Sequence, residues 1–128
     1  MNIEEILHHY LVCALWSTPG YMEKEEDDLE ALDEKYDVED VAESFRSKSA
    51  SDIEALLGLL NSAGIELNDE SQFGHDFWLT RNGHGAGFWD GDWDTEEDPE
   101  LGEKITAIVK ANFGTVDLYI SNEKVEAA

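Results

Sequence analysis

Between Asp90 and Asp98 the chain places Asp90, Asp92, Asp94, Glu96 and Asp98 at alternate positions, with Glu97 beside them. A D-x-D-x-D opening is how a calcium loop begins, because oxygens at alternate positions can converge on one hard cation. The pattern then stops. Its sixth position is Thr95 rather than the glycine of the sharp turn, and its twelfth is Leu101 rather than a bidentate glutamate. Loose condensation of cations is the expectation here, not a built metal site.

The other chemistry-bearing residues form no reactive set. His8, His9, His75 and His84 make no HExxH pair, and the single cysteine, Cys13, cannot complete a zinc cluster. His8 and His9 are adjacent, so on a helix they do not face a common point. Gly83, Gly85 and Gly87 mimic a phosphate loop, yet the acids bordering them would repel phosphate. There is no GxSxG nucleophile motif. Carboxylate pairs abound, but nothing marks one out as an acid and base flanking a glycosidic bond. No catalytic residue, metal or cofactor is predicted, and the chain is expected not to be an enzyme.

Charge is the outlying property. The 31 acids and 8 bases among 128 residues give a net charge of −23, well beyond the magnitude of about 2–8 that keeps a small domain soluble. Spread over the roughly 6,800 Å² expected for a monomer of this size, that is about one charge per 300 Å². Duplex DNA carries about one per 100 Å² on the same reckoning. The chain approaches that density only where its acids cluster, and the sequence has two such places. Glu25, Glu26, Asp27, Asp28 and Glu30 lie in the first, within twelve acids between Glu23 and Glu43; Asp90, Asp92, Asp94, Glu96, Glu97 and Asp98 lie in the second. Direct binding to nucleic acid or to an anionic membrane is disfavoured by the same charge. No signal peptide or run of about 18 apolar residues is seen, and the lone Cys13 suits a reducing, cytoplasmic setting.

The positioning elements follow from periodicity. Ile3, Ile6, Leu7, Tyr10, Leu11, Ala14 and Leu15 predict a helix over 3–16, capped by Asn2 and closed by Ser17-Thr18-Pro19-Gly20. Residues 21–44 predict a loop and then a short helix capped by Asp37. Phe45, Ile53, Leu56, Leu57 and Leu60 predict a second long helix over 45–63, ended by Gly64. Ile65-Glu66-Leu67 reads as a short edge strand or as a connection. Asn82-Gly83 is the dipeptide that most readily closes a type I′ hairpin, which would pair Trp78 with Gly87 and Phe77 with Phe88. On that reading Trp78, Arg81, His84 and Trp89 belong either to a packed core hairpin or to a recognition surface. Asp98-Pro99 starts a helix over 99–112, and the alternation in 115–120 predicts a third strand. Residues 121–128 are expected to be a frayed tail. The sum is a single α+β domain over 1–128: a three-stranded antiparallel-type sheet, hairpin plus C-terminal strand, packed against about three helices.

The segment HDFWLTRNGHGAGFWD, with LGEKITAIVKANFGTVDLYIS downstream and an N-terminal ALW followed by acids, resembles a family of small acidic proteins encoded by bacteriophages and prophages. The resemblance is good over the C-terminal half and loose over the N-terminal half. It implies a phage context and carries no catalytic residues. Two functions then compete. One is an acidic inhibitor that imitates nucleic acid and occupies the basic cleft of a host nucleic-acid-binding or defence protein through the two acidic clusters. The other is a non-catalytic interaction or accessory module whose acidity only serves solubility, and which would use an exposed aromatic patch from Trp16, Trp89 or Trp93.

Overall fold

The computed structural model describes residues 2–18, 32–83 and 86–127. Among them are four helices, α1 (Ile3–Ser17), α2 (Glu43–Ser62), α3 (Glu70–Arg81) and α4 (Leu101–Asn112), and two strands, β1 (Leu118–Ser121) and β2 (Lys124–Ala127). The α+β class stands; the composition of the sheet does not.

α3 is the element the others surround. Asp69 caps it by accepting from the Gln72 amide at 3.0 Å, and Gln72 reaches one turn on to Asp76 at 2.8 Å. Phe73, Gly74 and the whole run Asp76 to Arg81 are buried. A stretch of helix buried all round, as Asp76 to Arg81 is, has no polar stripe, so its pattern shows no 3.6-residue alternation. This is the segment that the hairpin reading turned into a strand. Gly83 does have positive φ, +70°, but Asn82 sits at −98°, whereas a type I′ turn needs φ > 0 at both positions. Gly83 is a helix C′ residue, its amide bonding back to the Thr80 carbonyl at 3.3 Å. Gly64 ends α2 the same way, with φ +75° and both bonds of a Schellman motif, Gly64 to Asn61 and Ile65 to Leu60.

The hairpin among the described residues is β1–β2, antiparallel, with Ile120 opposite Val125 and Ser121 opposite Lys124. It turns on Asn122 and Glu123, both with positive φ, 51° and 63°, the geometry a two-residue I′ connection demands. The expected frayed tail is thus corrected in part: residues 124–127 form β2, with Val125 buried. No third strand joins them among the described residues. Val41 makes a single parallel bridge to Val125 instead, with the Ala42 amide on the Val125 carbonyl at 2.8 Å. Phe88 and Trp89, expected in the hairpin's second arm, lie in a 3₁₀ turn, Phe88–Asp90. The helix expected from 99 starts two residues later, at Leu101.

α1 carries the predicted cap, Asn2 accepting from the Glu5 amide at 3.2 Å, and buries Ile6, Tyr10, Leu11, Ala14 and Leu15. It crosses α3 at Gly74, where a Cβ would lie 2.6 Å from the Ile6 carbonyl oxygen and 2.8 Å from the Tyr10 nitrogen. Only a glycine permits that approach. Trp78, fully enclosed, stacks edge-on against Tyr10 and donates its indole N–H to Ser17 Oγ at 2.8 Å. The neighbours expected for it across a hairpin are absent: a Cβ on Gly87 would strike Thr80 and Trp89, not Trp78.

Candidate functional site

Arg81, read from the sequence as a possible surface residue, is instead the polar centre of the core. Its guanidinium donates to Asp52 of α2 at 2.8 Å, to the Tyr10 hydroxyl of α1 at 3.0 Å and to the Gly114 carbonyl after α4 at 2.9 Å, and lies over the rings of Phe77 and Phe113. Asp52 also takes Lys48 at 2.9 Å. One side chain at the end of α3 therefore joins the other three helices. Burial pushes the Tyr10 hydroxyl up to about 12 and the Cys13 thiol up to about 12, so neither is a ready nucleophile. Both belong to the packing.

A second buried carboxylate, Asp76, has no cationic partner among the described residues. It accepts from Gln72 and from the Trp93 indole, the latter at 2.7 Å, and burial raises its pKa above the ordinary aspartate value. Trp93, predicted as an exposed partner-binding aromatic, is 8% exposed because this bond holds it inward. Trp89 is half-buried with Lys110 over its ring at 5.6 Å. The open tryptophan is Trp16, 55% exposed at the end of α1.

The acidic loop after the 3₁₀ turn divides into two kinds of residue. Asp90 accepts from the Gly87 amide at 3.0 Å and closes the turn. Asp94 accepts from the Gly102 amide at 2.8 Å, which places a carboxylate on an orphan N–H at the positive end of α4. Asp98 accepts from the Glu100 amide and pairs with Lys104 at 2.9 Å. Asp92, Glu96 and Glu97 are exposed, and their side chains make no hydrogen bond among the described residues. The oxygens of the D-x-D-x-D array are in part taken up by the amides of Gly87 and Gly102, on either side of the loop. Among the described residues no cluster of three or more His, Cys, Asp or Glu is arranged to hold a metal ion. Glu25, Glu26, Asp27, Asp28 and Glu30, like His84, lie outside the described residues.

Beside this loop is a groove of about 1000 Å³. The end of α2, the link into α3, α3 itself, the acidic loop and the start of α4 all contribute to it. Its apolar lining is Leu57, Ile65, Leu67, Trp93 and Leu101, and its charged lining is Glu66, Asp69, Asp92 and Asp94, with no lysine, arginine or histidine among the described residues. Sequence reasoning found Asp92, Asp94 and Trp93 but missed Glu66 and Asp69. Asp69-Glu70-Ser71-Gln72 is a capping signature, and read as one it would have placed Asp69 at the head of a helix. Comparison of the chain with protein-family models, with curated proteins and with solved structures finds no match. Among the described residues no helix is long and apolar enough to cross a membrane.

Proposed function

We propose that this chain is a non-catalytic binding protein that engages a basic, nucleic-acid-binding surface of another protein and imitates nucleic acid in doing so. The observation that carries the reading is the set of carboxylates the fold does not use: Asp92, Glu96 and Glu97 stand exposed along one loop of a chain with net charge −23. Keeping like charges together in one loop costs stability through mutual repulsion, and a partner rich in Lys and Arg would relieve it. The resemblance to small acidic phage proteins directs the search to basic nucleic-acid-binding or defence proteins of a bacterial host. Trp16 favours a second reading, an accessory module that docks through an aromatic at the end of α1.

Immobilised protein in a bacterial lysate decides between them. Nucleic-acid mimicry predicts retained basic proteins that are released by added duplex DNA and by rising salt, as carboxylates and phosphates compete for the same cations. A retained partner indifferent to both, and lost on Trp16→Ala, would leave the aromatic module.

A further inference from the structure

We infer that the groove between α2, α3 and the acidic loop receives a single extended segment of a partner protein in which Lys or Arg alternates with apolar residues. The inference rests on the binding reading above and names the part of the partner that is recognised.

Three features of the groove converge on that occupant. Among the described residues its charged lining is wholly acidic, Glu66, Asp69, Asp92 and Asp94, and all four are exposed, so an anionic or neutral segment has no counter-charge to meet there. Leucine, isoleucine and tryptophan side chains lie among those acids; a purely polar basic tail would leave this apolar surface wet, whereas alternate apolar residues would cover it. The third feature is backbone. In the link from α2 to α3 exposure alternates, Ile65 and Leu67 half-buried, Glu66 and Asn68 exposed. The amides of Glu66, Leu67 and Asn68 find no acceptor among the described residues. An extended segment laid alongside can supply carbonyls to alternate amides of this link, those that face its edge, with side chains alternating between the groove and its acidic rim. The volume lies at the upper end of the range of about 300–1,000 Å³ for ligand sites, room for several residues of such a segment.

The test uses two labelled peptides of equal length and charge, one alternating Lys and Leu, the other alternating Lys and Ser, with binding read by fluorescence anisotropy. The Lys–Leu peptide should bind at least about tenfold more tightly. The double charge reversal Glu66→Lys with Asp92→Lys should weaken it by about tenfold or more, since neither side chain makes a hydrogen bond that the fold needs. The control reversal Glu54→Lys with Asp117→Lys makes the same change in net charge at exposed positions outside the groove, and should cost less than about threefold. Equal affinity for the two peptides, or equal losses from the two reversals, would overturn the groove while leaving a diffuse acidic binding surface in place. If neither peptide binds even at low salt, the acidic-binding reading falls with it.

Discussion

Asp90, Asp94 and Asp98 alternate along one loop with Asp92 and Glu96, yet the two sets do opposite things. The first set turns inward onto backbone amides and Lys104 and holds the loop between the 3₁₀ turn and α4 in shape. The second set, with Glu97, is exposed and makes no side-chain hydrogen bond among the described residues. A carboxylate that satisfies an orphan amide contributes to stability, while one that only faces like charges opposes it. Composition cannot separate the two, and neutralising the whole cluster at once would confound a folding defect with a binding defect. The division also extends inward, where Asp52 and Asp76 are the extreme of the used kind.

The largest effect should come from breaking the best-partnered of these carboxylates. Arg81→Met leaves Asp52 buried with only the largely exposed Lys48 beside it, and should cost about 3–5 kcal/mol by chemical denaturation. Adding Asp52→Leu to Arg81→Met should recover part of that loss, because it removes the stranded charge. A loss below about 1 kcal/mol would mean that the pair does not join the helices. Next comes Asp94→Ala, which strips the Gly102 amide of its acceptor and should cost about 1 kcal/mol, read as a lowered melting temperature.

Glu123 is a carboxylate on the unused side whose backbone is strained, a non-glycine residue at φ 63° in the β1–β2 turn. Glu123→Gly should stabilise by about 0.5–1 kcal/mol by relieving the left-handed conformation; a destabilised variant would argue against the I′ turn.

Asp76 provides a finer, pH-dependent probe. Burial raises its pKa in the folded state above that of the unfolded chain, so the folded state binds the proton more tightly. The stabilisation this gives is fully present below the unfolded pKa and is lost as pH rises through the raised value. Asp76→Asn keeps an acceptor for Trp93 and Gln72 without the charge. Its unfolding free energy should therefore gain less than the parent's as pH falls from neutrality into the carboxylate range. Identical pH slopes would show that Asp76 is as well solvated as a surface acid.

The same physics explains what was legible beforehand. α1, α2 and α4 each bury one stripe, so their apolar residues recur with helical period, and Asn2 and Gly64 mark ends whose chemistry admits few alternatives. From Asp76 onward α3 is enclosed on every side and offers no stripe, and Gly83 needs positive φ in a helix C′ position as much as in a hairpin turn. The real hairpin was hidden because Glu123 is a poor residue for its own conformation. The acids of the loop were legible as a cluster, but not which of them the fold consumes, since that depends on where Gly87 and Gly102 arrive in space. The groove was out of reach for the same reason: its lining comes from positions 57 to 101, brought together by α3.

The division of the acidic loop is tested most directly by the triple variant Asp92→Asn, Glu96→Gln, Glu97→Gln, with its stability and its affinity for the alternating Lys–Leu peptide measured on the same preparation across a salt series. Stability should stay within about 0.5 kcal/mol of the parent. Affinity at low salt should fall, and its dependence on salt should become shallower as fewer charge pairs form. Affinity and salt slope equal to the parent's, or a loss of stability as large as that of Asp94→Ala, would contradict the assignment of these three carboxylates to binding.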